Sequence, residues 1–209
     1  MRVAFKLLSV LALIGSAGPV SAANFLVTFT GTISSGYDGL GAFGAPAADL
    51  AGLSYTSVFA VTLPTPGAFH EEDEFHSVTY GGSSSGTPSP VSGKLTINGF
   101  SQTFSGNTYG HVKVYDGLGE FPGGYDGIFL HAEQDTLSYV ADSTYSFVNS
   151  LPDSEDYPVT YDTQPGDIFN GSFVLDTGTG YSQGYFSPQR VTVALAATAS
   201  LPEASTWAM

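Results

Sequence analysis

Apolar and polar residues alternate along much of this chain. In NFLVTFTGTI (24–33), Phe25, Val27, Phe29 and Ile33 fall on one face while Thr28, Thr30 and Thr32 fall on the other, the period-two pattern of a half-buried strand. SYTSVFAVTL (54–63) is rich in β-branched and aromatic residues, which suit a pleated surface. YGHVKVY (109–115), DGIFLHAE (126–133), DIFNGSFVLD (167–176) and QRVTVALAATA (189–199) predict further strands, the last with Val191, Val193 and Leu195 along one face. GKLTINGFSQTF (93–104) gives the clearest local signal. Its two alternating runs flank Asn98-Gly99, a pair that accepts the positive φ angles of a type I′ hairpin turn. Past the N-terminus, no window carries a helical apolar stripe free of Gly and Pro.

Turn-rich stretches separate these runs. GGSSSGTPSPVSG (81–93) reads as a Gly/Ser/Pro loop, and LPDSEDYPVTYDTQPGD (151–167) as an acidic surface excursion. About ten short strands bounded by turns predict an all-β fold: a single antiparallel β-sandwich or jelly-roll, with a partly open β-barrel as the alternative. YDGLGAF (37–43) returns as YDGLGEF (115–121), and a third Tyr-Asp-Gly sits at 125–127. The flanks do not match, and Asp-Gly is a favoured turn pair, so convergent turn chemistry is expected over duplication.

The termini add a destination. Arg2 and Lys6 precede the apolar run Leu7 to Ile14, and Val20-Ser21-Ala22 supplies small residues for cleavage. This predicts a signal peptide over 1–22, since the apolar run is far below the roughly 20 residues of a spanning helix. The folded domain is then expected over 23–200, with a distinct tail at 201–209. The formal net charge is −14, and the leader holds two of the five cations and no acid. Lys94, Lys113 and Arg190 therefore remain against 19 acids. Such a surface repels phosphate backbones, which excludes nucleic acid as a partner. With no cysteine, disulfides, thiol nucleophiles and thiolate metal sites are excluded too.

Few constellations carry chemistry. HEEDEFH (70–76), if extended, puts His70, Glu72, Glu74 and His76 on one face, an imidazole and carboxylate set that suits zinc or another transition metal. Six residues of strand span about 20 Å, so four ligands meet only if the chain bends. The competing reading is an acidic strand end or sheet edge, where charge deters aggregation. Asp38, Asp116, Glu120 and Asp126 lie in Gly-rich stretches that could wrap one structural calcium. No other cofactor is expected. Gly82-Ser83-Ser84-Ser85-Gly86 matches a nucleophile elbow formally but lacks the strand-to-helix context. His111 and His131 lie inside predicted strands and are expected to be structural. Tyr109, Tyr115, Tyr125 and Tyr185 could form a platform for sugar rings or simply pack. No residue is assigned as catalytic.

The tail LPEASTWAM resembles the start of a PEP-CTERM sorting signal. Leu201-Pro202-Glu203-Ala204 stands for the Val-Pro-Glu-Pro-like tetrad, with Ala204 in place of its second proline, and Ser205-Thr206-Trp207-Ala208-Met209 for the residues after it. In that family a transmembrane helix and an Arg-rich end follow, so Met209 is expected to be a truncation point. The Cys-free, Gly/Thr/Ser-rich body also resembles proteins that carry this tail. The resemblance implies a Gram-negative bacterium that makes extracellular polysaccharide, and export to the cell surface, outer membrane or matrix. It also implies an exosortase that recognises Pro202-Glu203. Signal peptidase and exosortase would be processing enzymes, and extracellular polysaccharide the surroundings. The expectation is thus an exported, non-enzymatic surface or biofilm-matrix protein. An extracellular carbohydrate- or calcium-binding module is the alternative, and a secreted hydrolase ranks last.

Overall fold

A computed structural model describes residues 23–73, 76–115, 126–135, 137–146 and 159–196. The expected leader (1–22) and sorting tail (201–209) lie outside the described residues, as do Glu74, Asp116, Glu120 and Tyr125. The strands are β1 (Ala23–Asp38), β2 (Ala48–Asp49), β3 (Ser54–Leu63), β4 (Phe69–Glu72), β5 (His76–Gly81), β6 (Val91–Ile97), β7 (Phe100–Phe104), β8 (Tyr109–Tyr115), β9 (Asp126–Glu133), β10 (Tyr139–Ser146), β11 (Val159–Asp162), β12 (Ile168–Asp176) and β13 (Tyr181–Leu195). A single 3₁₀ turn, Ser83–Ser85, is the helical element among the described residues.

The fold is all-β, and every pairing is antiparallel. The strands belong to one sheet in the order β4-β5-β8-β9-β10-β12-β13-β1-β3-β6-β7, with β2 added on β1 and β11 on β13. This path does not close on itself, so the connectivity is that of a curled, open half-barrel. β1 and β13 form its spine, and register shifts at Thr30/Gly31 and Ile33/Ser35 bend it, as bulges do. The curl brings β6 against β8, β9 and β10, so the two limbs of the sheet face each other like the layers of a sandwich. Approach is closest at Gly93, where an added Cβ would sit 2.8 Å from Val140 Cγ1 and 3.3 Å from Ala132 Cβ.

Alternation along the strands fills the space between the limbs. Val27, Phe29 and Ile33 of β1 are buried, as are Phe59 and Val61 of β3 and Leu95 and Ile97 of β6. Leu130, Val140 and Phe173 meet them from the other limb. Rings interlock there: Phe29 meets Phe59 edge-on at 6.0 Å, and Tyr55 stacks on Phe186 at 4.2 Å. The β6–β7 hairpin turns on Asn98 (φ 51°) and Gly99 (φ 82°), the left-handed pair that the sequence predicts.

A carboxylate crosses this core. Asp142 of β10 has no exposed surface, and it accepts hydrogen bonds from the Tyr55 hydroxyl at 3.1 Å and from the Ser57 hydroxyl, both on β3. Burial pushes its carboxyl well above the usual range, while the two hydroxyl donors pull it down by less. The acid ties one limb to the other.

Candidate functional site

The densest charged stretch folds as a hairpin. β4 and β5 pair through His70 with Thr79 and Glu72 with Ser77, and the chain turns at Asp73. Asp73 Oδ1 accepts from the His76 backbone N–H at 2.9 Å and lies 2.9 Å from His76 Nδ1. On the other arm, His70 Nδ1 is 2.9 Å from Thr79 Oγ1, and its Nε2 is 3.7 Å from Glu72 Oε2. The bend therefore sorts these residues into His70 with Glu72 and His76 with Asp73, on opposite arms. A continuous extended strand over 70–76 does not form. β4 ends the strand path, where charged side chains protect an open edge.

Two of the acids proposed for calcium can be placed. Asp38 ends β1, fully buried; its Oδ1 accepts from the Ala42 N–H at 2.9 Å and the Ser182 hydroxyl at 2.6 Å, and its Oδ2 from the Phe43 N–H at 2.7 Å. It anchors the first YDGLG loop. Asp126 opens β9 opposite Ser146 of β10 and is buried. Among the described residues, no three His, Asp or Glu side chains converge as a metal site would require. The Gly82–Gly86 stretch is the 3₁₀ turn, pinned by the Ser84 N–H to Thr108 O at 3.1 Å and the Ser85 hydroxyl to Gly82 O at 3.1 Å.

The largest concentration of functional groups is a ring-bearing sheet face. Along β8, Gly110 and Val112 point into the core, so period two sends Tyr109, His111, Lys113 and Tyr115 outward. The register sets Tyr80 of β5 and His131 of β9 on either side of His111. Phe69 lies opposite Tyr80, and Tyr139 opposite Glu133. The rings touch in sequence across five strands. Phe69 stacks on Tyr80 at 5.2 Å, Tyr80 is 6.4 Å from both Tyr109 and His111, and Tyr109 meets His131 at 5.6 Å. His111 meets Phe129 at 5.1 Å, and His131 stacks on Tyr139 at 5.4 Å and 16°. At one end Lys113 Nζ sits 4.4 Å over the Tyr115 ring, a cation–π contact.

Burial governs the charge of this face. The Nε2 atoms of His111 and His131 are buried without a hydrogen-bond partner among the described residues. His131 Nε2 does lie 3.5 Å from Glu133 Oε2, near enough for attraction but not aligned as a hydrogen bond. Desolvation first, then His131 and Lys113, push the His111 imidazole down to about 4. Desolvation lowers His131 as well, while burial and the charge of Asp135 raise Glu133. At neutral pH both imidazoles are uncharged rings. The other limb differs. One outward row across β1, β3, β6 and β7 carries Thr30, Thr56, Thr96 and Ser101 in cross-strand register, with Thr96 Oγ1 2.8 Å from Ser101 Oγ.

Of the tyrosines considered for sugar stacking, Tyr109 and Tyr115 belong to this face. Tyr185 stands elsewhere, on β13 between Ser35 and Ser172, 57% exposed. Sequence reasoning missed Phe69, Tyr80, Phe129 and Tyr139, and it read His111 and His131 as structural residues of their strands. The outward phase of β8 was visible in YGHVKVY; the neighbours that complete the face were not. No known protein family, characterised protein or solved structure matches the chain.

Proposed function

We propose that this chain is an exported, non-enzymatic protein of the cell surface or extracellular matrix, delivered there through a C-terminal sorting signal. One observation carries the reading, the order of parts: a basic, apolar and small-residue leader, then an all-β domain, then Leu201-Pro202-Glu203-Ala204 with Ser-Thr-Trp-Ala-Met behind it. Ala23, the residue after the expected cleavage point, already pairs with Leu63 in β1, which supports a boundary there. Signal peptidase and an exosortase act on the chain, and polysaccharide surrounds it.

The geometry supports display over turnover. Asp38 and Asp142 are engaged in anchoring a loop and bridging the core, and Asp162 is paired with Arg190 on the surface. The histidines of β8 and β9 are neutral members of a ring network. The ring-bearing face favours the carbohydrate-binding form of this reading over the calcium-binding one.

The test uses the protein expressed from its own gene. Its mature N-terminus is expected at Ala23, and Pro202→Ala with Glu203→Ala should hold the protein unprocessed in the membrane fraction. A chain that retains Met1, or a double variant that reaches the surface as wild type does, would end this reading.

A further inference from the structure

We infer that the outer face of β5, β8, β9 and β10 is a stacking platform for a neutral polysaccharide built of equatorially substituted pyranoses. Such sugars expose flat C–H faces that pack on aromatic rings, with weak C–H contacts adding to burial. Tyr80, Tyr109, His111, Phe129, His131 and Tyr139 form a continuous ring network on this face. Together with Phe69 at the edge it crosses five adjacent strands, a width of about 19 Å at the usual interstrand spacing. That is long enough to lie under several sugar units. The inference concerns the folded domain alone and stands whether or not the tail sorts the protein.

Charge selects the ligand class. The face carries Lys113 against Glu71 and Glu133, the His111 and His131 imidazoles are kept neutral by burial, and His76, paired with Asp73, borders it beside Tyr115. A face whose acids outnumber Lys113, on a chain of net charge −14, attracts neither nucleic acid, whose bases also stack, nor an anionic polysaccharide. The rings have polar tips: the Tyr80 hydroxyl donates to Glu71 Oε1 at 3.2 Å, and Tyr109 and Tyr139 also end in hydroxyls. A sugar can satisfy such tips while covering the ring bodies, as an aliphatic partner cannot.

Affinity electrophoresis and calorimetry with the secreted chain test this, with mixed-linkage β-glucan and hydroxyethylcellulose as neutral probes and alginate as the anionic one. At least one neutral polymer is expected to bind, with little dependence on salt. Tyr109→Ala and Tyr139→Ala should each weaken binding about tenfold or more, while Tyr185→Ala, an exposed ring off the face, leaves it unchanged. Wild-type binding should hold from pH 8 to about 5 and weaken toward pH 4, as His111 gains charge beside Lys113, with circular dichroism reporting the fold at each pH. The wild-type preference for a neutral over an anionic polymer needs no variant and decides the matter if a substitution fails to fold. Failure of both neutral polymers to bind the folded chain would overturn the inference. So would salt-sensitive capture of alginate alone, equal weakening by Tyr185→Ala, or light scattering that shows the face occupied by a second copy of the chain.

Discussion

Replacing Asp142 with asparagine should change how the stability of this protein depends on pH. The carboxyl is fully buried between the limbs and held by Tyr55 and Ser57. Burial raises its pKa well above 3.8, and the hydroxyl donors offset that only in part. Between the unfolded value near 3.9 and the raised folded value, the folded chain therefore holds one more proton than the unfolded chain. Stability from this group is complete below about pH 4 and is lost as pH rises toward the folded pKa, at about 1.4 kcal/mol per pH unit. For a chain of this length that is about 3–6 °C in Tm per unit.

The wild-type curve alone would hide the slope. His111 and His131 have depressed pKa values, so the stability they contribute is present above about pH 6.5 and is lost as pH falls. The Asp142→Asn variant keeps the side-chain shape and cannot ionise at this position, so the wild-type minus variant difference isolates the carboxyl. Urea unfolding of both proteins at pH 4.5, 5.5 and 6.5 measures it. The difference should move against the wild type by about 1.4 kcal/mol at each step for as long as Asp142 keeps its proton. Parallel curves would refute the reasoning, because they would mean that the buried carboxyl titrates alike in both states.

Two further substitutions probe the same frame. His111→Phe removes a desolvated nitrogen from the ring network, so the variant should lose less stability than wild type between pH 6.5 and 4.5. The difference, on the order of 1 kcal/mol after discounting for the partly exposed ring, would be read from thermal melts, and an unchanged acid limb would count against the burial argument. Gly93→Val places a branched side chain where even a Cβ would lie 2.8 Å from Val140 Cγ1. It should cost about 1–3 kcal/mol by overpacking, and a urea midpoint equal to wild type would show that the limbs are not in contact there.

Much of the strand layout was legible because alternation and turn chemistry agreed. The runs at 54–63, 109–115 and 126–133 coincide with β3, β8 and β9, and Asn98-Gly99 makes its predicted turn. β10 was missed for a physical reason. Its inward positions after Val140 are Asp142, Thr144 and Ser146, polar residues whose burial depends on partners elsewhere in the chain. Without Tyr55 and Ser57 in view, YVADSTYS does not read as a core strand. β13 begins at Tyr181, well before the predicted 189, because Gly184 and Pro188 look like breakers. In the fold Gly184 is the residue that fits against Phe173, whose Cε1 lies 2.7 Å from an added Cβ, and Pro188 falls at the register shift opposite Gly31. The acidic 70–76 stretch was legible as an edge but not as a hairpin.

The ring-bearing face was illegible for a different reason, and that reason bears on its use. After Gly81 the chain leaves β5, builds β6 and β7 on the opposite limb, and returns at Tyr109 to pair with β5. Tyr80 meets His111 only through this crossover, while His111 meets His131 through the pairing of β8 with β9, so no single local pattern announces the cluster. One outward row of the other limb pairs through Thr30, Thr56, Thr96 and Ser101, small polar residues that support antiparallel pairing and stay wet. The same backbone architecture thus tolerates a hydroxyl surface on one limb and carries rings on the other. Buried unpartnered imidazole nitrogens cost stability, and half-exposed aromatic rings gain less from burial than core rings do. Rings and desolvated imidazoles held together on one face at that cost are the physical ground for the stacking platform inferred above.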